Sequence, residues 1–200
     1  MIKPQVSTQE STWRIFCAIE IPAEVQRRVL AHADHLRAAA PGVHASWTKM
    51  DNIHLTLKFF GNVELDKISN ISKAADEVAR HFSPIKVRVD GTGVFPKHGP
   101  ARVLWIGLND PAGMLVDLQK EFDDVCTAEG FAAEDRAFHP HLTVARLRSP
   151  QGARAVGECH KETKFEAIDF TAAELTVFRS ELSSKGSKYS VISKHPLVDD

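Results

Sequence analysis

Cysteine is scarce in this chain of 200 residues: Cys17, Cys126 and Cys159 are odd in number and far apart, so neither a CxxC metal site nor a disulfide framework is expected. Long apolar runs are absent. No stretch approaches the ~18 residues of a membrane span, and none precedes Trp13 as a signal peptide would require. An excess of either charge is missing too, since 25 Lys and Arg stand against 26 Asp and Glu for a formal net charge of −1. That balance excludes tight binding of bulk nucleic acid through a basic surface, so any polyanion handled here must be small or meet a local cationic pocket. A phosphate-gripping glycine loop is lacking as well. "GTGVFPKHG" at 91–99 has neither the spacing nor the Lys-Ser/Thr ending, which argues against a nucleoside-triphosphate or dinucleotide enzyme. The expectation is a cytoplasmic protein without a cofactor.

What is present is enough apolar material, 43% of residues, to bury a full core. Residues 1–12 are polar and are expected to form a flexible leader before one bilobal domain over 13–200. "WRIFCAIEI" (13–21) reads as a strand stopped by Pro22. The following run carries Val25, Val29, Leu30, Ala33 and Leu36 at helical spacing up to Pro41-Gly42. A second helix is expected over 65–82 with Leu65, Ile68, Ile71, Ala75 and Val78 on its stripe, and a third from Pro111 to Gly130. "IKVRVDGTGVFP", "ARVLWIGL", "FEAIDF", "AELTVFRSEL" and "KYSVISKHPL" read as strands, with a weak helix near 151–161. Strands often follow one another without an intervening helix. That pattern favours α+β with antiparallel sheets over a doubly wound parallel sheet.

One short pattern occurs twice. "IHLTLKFFG" carries His54 and Thr56, and "HPHLTVARLR" carries His141 and Thr143, 87 positions later. Chance alone gives about 0.1 such His-apolar-Thr-apolar matches in this composition. Each half also runs strand, helix, then motif strand, which points to internal duplication and to two pseudo-symmetric lobes that face each other across a cleft. Strand alternation puts His54 and Thr56 on one face with Leu55 and Leu57 on the other, and His141 and Thr143 repeat the arrangement. A cleft lined by both strands would hold two imidazoles and two hydroxyls. Imidazoles titrate near ~6.5, so one can accept a proton while the other donates one at neutral pH. Threonine hydroxyls can hold phosphate oxygens as charge builds on them. Arg146 is a natural phosphate clamp, but strict alternation puts it on the face opposite His141, so its use requires the strand to end or bulge. Lys58 shares parity with His54 and is the rival cation.

These strings, "WRIFCAIEIP", "NIHLTLKFFGNV", "GTGVFPK…ARVLWIGL" and "FHPHLTVARL", resemble the RNA 2′,3′-cyclic phosphodiesterases, the LigT-like branch of the two-histidine phosphoesterases. The resemblance covers most of the chain. It implies a bilobal α+β fold, each lobe an antiparallel sheet with helices outside, and metal-independent hydrolysis of RNA 2′,3′-cyclic phosphate ends to 2′-phosphomonoesters. It implies His54 as proton donor to the departing 3′ oxygen and His141 as proton acceptor. Thr56, Thr143 and Arg146 would hold the phosphate, and Phe16 would be an aromatic that stacks on a base. The partners it implies are RNA ends or nucleoside 2′,3′-cyclic phosphates, met by a monomer away from membranes. In the "KHGPARVLW" loop, Lys97 and His98 supply less charge than a strongly RNA-clamping version would.

Three other readings stay open on the residues alone. The same groups run in reverse would join RNA halves through a 2′-5′ linkage. A non-catalytic RNA-end binder would need the same cleft without proton transfer. His139, His141 and His54 could instead share a metal ion, although no carboxylate is spaced to complete such a site.

Overall fold

The structure, a computed structural model, describes residues 11–183 and 186–198, so residues 1–10 of the expected leader lie outside the described residues. Strand β1 (Thr12–Glu20) leads through Pro22 into α1 (Ala23–Ala39), which buries Val25, Val29, His32, Ala33 and Leu36. Proline at the helix entrance has φ −56°, already preset for a first turn. A short β2 (Ala45–Trp47) precedes β3 (His54–Glu64), the first motif strand.

The helix expected over 65–82 divides into a 3-10 turn at Leu65–Lys67 and α2 (Ile68–Ala79). Ile68, Ile71, Ala75 and Val78 form its buried stripe, whereas Leu65 is 44% exposed because the 3.6-residue period begins only where α geometry does. A hairpin follows, β4 (Ile85–Phe95) with β5 (Val103–Asn109), and then α3 (Met114–Ala128). Asp110 accepts the Leu115 amide at 2.8 Å in the first turn of α3, and Gly130 ends that helix at φ +88°, where a side chain would be strained. The remaining elements are β6 (His141–Leu147), α4 (Ala153–Glu162), β7 (Ile168–Ala172), β8 (Glu174–Ser183) and β9 (Gly186–Pro196).

Two antiparallel sheets result, ordered β3-β1-β8-β9 and β2-β6-β5-β4-β7. The halves are exchanged rather than separate: β4 crosses to pair with β5, and β8 returns to pair with β1. Helices cross as well. α2 and α3 lie together against β3, β8 and β9, while α1 and α4 cover β6 and β4. The core faces carry Ile15, Cys17 and Ile19 on one sheet and Leu104 and Ile106 on the other. A fully buried Ile or Leu contributes roughly 1.5–3 kcal/mol, and these rows hold the sheets to their helices. The reverse faces are left to one another, and Cα atoms of β3 and β6 come within 8 Å.

Candidate active site

Both motif strands break alternation at the same step. In β3 the register passes from Thr56↔Ala18 to Lys58↔Cys17, leaving Leu57 unmatched; in β6 it passes from Thr143↔Trp105 to Ala145↔Leu104, leaving Val144 unmatched. Each is a β-bulge, which puts two consecutive residues on the buried side and returns the next one to the cleft. Leu57 and Lys58 are both buried, as are Val144 and Ala145; Phe59 and Arg146 then emerge exposed. The bulge at Val144 is the irregularity that Arg146 required, and it puts the guanidinium on the face of His141 and Thr143.

The same kind of bulge, in β3, removes Lys58 as a phosphate cation. Lys58 is 3% exposed, ion-paired with Asp123 of α3, and its ammonium donates to the Ala132 carbonyl at 2.6 Å. Asp123 also accepts the Glu134 amide at 3.1 Å, so the buried pair ties β3 to the segment that leads into the cleft wall. Its parity with His54 held only for an unbroken strand.

His54 lies on an aromatic shelf. Its ring stacks on Phe16 at 4.9 Å and meets Tyr189 edge-on at 5.5 Å, with Phe178 at 6.4 Å. Burial is the larger cause that lowers its pKa to about 4, and the positive charge of Arg146 acts in the same direction. His141 lies against Phe95 at 5.3 Å and Trp105 at 6.4 Å. Its Nδ1 donates to the His139 carbonyl at 2.6 Å, which leaves Nε2 with the free lone pair. Burial lowers its pKa, the His139 carbonyl opposes that shift, and Arg146 adds to it. One guanidinium is therefore felt at both imidazoles, although the two histidines are far apart in the chain.

Phe16 does not offer a surface to a base. It is 3% exposed and enclosed by His54, Phe178 at 5.0 Å and Tyr189 at 4.9 Å. In the register, Ala18 opposite Thr56 lies between Phe16 opposite Phe59 and Glu20 opposite His54. Phe16 is thus the backing of His54, a correction to the stacking role expected from the resemblance.

A cleft of about 1330 Å³ opens alongside, lined by Thr56, Phe59, His141 and Arg146. His54 lies two residues from Thr56 on the same face, and Thr143 is half-buried between His141 and Arg146. Lys97, Arg102, Arg136 and Arg148 also line the cleft, and Glu134 is the only carboxylate among its described lining residues. Nothing in the local sequence announces this wall, because its cations come from the β4–β5 loop, the segment before β6 and the end of β6. Tyr189 and Phe178 were missed for a similar reason: alternation gives their side of a strand but not the sheet that the strand joins. Among the described residues no three His, Cys, Asp or Glu side chains stand close enough to hold a metal ion, the His54, His139 and His141 set included. Buried Cys17 and Cys126 are also no nucleophiles, since burial pushes both thiols up, Cys126 to about 12.

The model of the LigT-like phosphoesterase family matches residues 19–105 and again residues 106–189, one copy for each half. An RNA 2′,3′-cyclic phosphodiesterase of Methanothermobacter thermautotrophicus is 32% identical over 88% of this chain and 95% of its own. One from Archaeoglobus fulgidus is also 32% identical, over 88% and 96%. Among solved structures, Escherichia coli LigT complexed with 3′-AMP superposes with a TM-score of 0.72 at 23% identity, covering 94% of this chain and 99% of that one. A Thermus thermophilus protein superposes with the same TM-score at 24% identity, over 92% and 97%. At these identities the superpositions speak for the fold.

Proposed function

Because this chain belongs to the LigT-like phosphoesterase family, we propose that it hydrolyses 2′,3′-cyclic phosphate ends of RNA to 2′-phosphomonoesters. Water attacks phosphorus in line with the 3′ oxygen, giving up a proton to Nε2 of His141 as the new O–P bond forms. The P–O3′ bond breaks as His54 delivers its proton to the departing oxygen. Thr56 and Thr143 donate hydrogen bonds to the non-bridging oxygens, and Arg146 offsets the charge that builds there. Entry of an anionic phosphate beside Arg146 counters the charge that, after burial, disfavours a protonated His54, and so favours the imidazolium that donates.

The observation that carries this reading is the shared guanidinium. Two half-buried imidazoles, one with Nε2 left free by a carbonyl bond, both feel the charge of Arg146 at the head of a cationic cleft. Arg136 and Arg148 add to the charge of Lys97 and Arg102 from the 97–105 stretch, and a local cationic pocket is what a chain of net charge −1 needs for a polyanion. All of these residues come from one chain, so the proposed site is complete without a residue from a second copy.

The test is incubation with a nucleoside 2′,3′-cyclic phosphate, with the monophosphate isomer identified by chromatography. The 2′-isomer is expected. His54→Ala and His141→Ala should each lower kcat by ~10² or more. Retained binding of cyclic-phosphate ends without turnover by the wild-type protein would instead make it an RNA-end binder.

A further inference from the structure

Lys58 follows the His-Leu-Thr string of β3, and what it grips leads into the other motif. Residues 131–140 form neither helix nor strand, so their backbone groups must find partners elsewhere. Two of those groups share one ion pair. The Lys58 ammonium donates to the Ala132 carbonyl at 2.6 Å, and its partner Asp123 accepts the Glu134 amide at 3.1 Å. Phe131 adds an edge-on contact at 5.1 Å to Phe60, also of β3. At the far end the Pro140 carbonyl accepts the Leu108 amide at 3.1 Å. Between these anchors Arg136 pairs with Asp135 beside it, an exposed contact that fixes nothing outside the segment. His139 belongs to the same span, and its carbonyl accepts the Nδ1 proton of His141 at 2.6 Å. Stability alone does not account for the ion pair. The Lys58 side chain is 2% exposed and that of Asp123 14%, and stripping water from two charges offsets most of their attraction. Apolar side chains of similar volume would fill the space as well, but they would leave the Ala132 carbonyl and the Glu134 amide without these partners.

We infer that Lys58 and Asp123 are positioning residues: they fix residues 131–140 so that the His139 carbonyl meets Nδ1 of His141 and selects the tautomer able to accept a proton at Nε2. β3 thus supplies His54, Thr56 and, through Lys58, the orientation of the histidine on β6. Neither member of the pair touches the reacting atoms. The kinetic consequence rests on the proposed hydrolysis, whereas the tautomer of His141 can be read without it.

The experiment uses the double variant Lys58→Met/Asp123→Leu, which removes both charges together and leaves neither buried and unpaired. Nitrogen NMR of the imidazoles, at a pH well above ~6.5 where the rings are neutral, reads the tautomer. Turnover of a nucleoside 2′,3′-cyclic phosphate reads the consequence. In the wild type His141 should carry its proton on Nδ1. The double variant should show a mixture of tautomers at His141, unmoved His54 signals, and a kcat lower by about 10-fold to 100-fold, the range for a small misplacement of a reacting group. Glu134→Pro deletes only the amide hydrogen and keeps the buried pair. It should shift both readouts the same way, and it carries the test if the double variant does not fold. A folded variant that keeps the wild-type tautomer at His141 would overturn the inference, whether or not activity falls, because the pair would then act elsewhere. A wild-type protein that opens no cyclic phosphate would remove the hydrolysis and leave the positioning role to the NMR result.

Discussion

His54 and His141 share a motif but not an environment. One ring rests on Phe16 and Tyr189 with no hydrogen bond fixing its tautomer among the described residues, and the other is fixed through Nδ1 by the His139 carbonyl. Arg146 lowers the pKa of both, so Arg146→Ala should move both upward. Imidazole NMR titration checks this; a downward shift, or none, would break the link between the guanidinium and the rings. Lys58 gives the opposite lesson at the same scale. Its partner Asp123 is largely shielded, so Lys58→Ala should cost about 3–5 kcal/mol of stability by leaving a buried carboxylate unpaired. Urea unfolding measures that cost, and a variant as stable as the wild type would show that the pair is not needed.

Among the elements, α4 is the one whose sequence signal was weakest and whose anchoring is most specific. Gly157 and Ala153 let it approach the sheet, and His160 is fully buried within it. His160 Nδ1 and His32 Nε2 of α1 lie 3.0 Å apart, and His160 Nε2 lies 2.9 Å from the Trp105 carbonyl. With the Nε2 proton given to that carbonyl, His160 Nδ1 accepts from His32, and the chain joins α1, α4 and β5. His160→Leu keeps the apolar bulk and removes the bridge. It should destabilise the fold by ~1–3 kcal/mol through the polar groups left unpaired, read as a lower urea midpoint. A midpoint at the wild-type value would make the bridge dispensable. The bulges belong to this scale too: they are properties of strand pairs, and a single strand read in isolation can only alternate.

For the molecule as a whole, the buried imidazoles set a pH window. Burial lowers the pKa of His32 and His54 to about 4 and also lowers those of His141 and His160. In the unfolded chain the same groups titrate near ~6.5. Between these values the unfolded state binds more protons, so this contribution to stability is fully present above pH ~6.5 and is lost as pH falls toward about 4. The urea midpoint should therefore drop steadily between pH 7 and 4.5, and a midpoint that held or rose over that range would contradict the buried, neutral state of these rings. The two lobes share this sensitivity because the exchanged strands β4 and β8 and the exchanged helices α1 and α3 leave neither lobe built from one half of the chain alone.

Local patterns written in the chain determined the α+β class, most element positions, the duplication and the two His-Thr pairs, because periodicity of 2 or 3.6 and a repeated string are properties of neighbouring residues. Arg146 was legible as a candidate but only conditionally, and Lys58 and Phe16 were misread on the same basis. Their outcomes depended on a bulge, on Asp123 from a distant helix, and on Phe178 and Tyr189 from strands near the other end of the chain. Which side chain faces the cleft, which cations gather there and which aromatic stays exposed are decided by pairing between segments far apart in sequence. No periodicity records that pairing, so only the folded structure could show it.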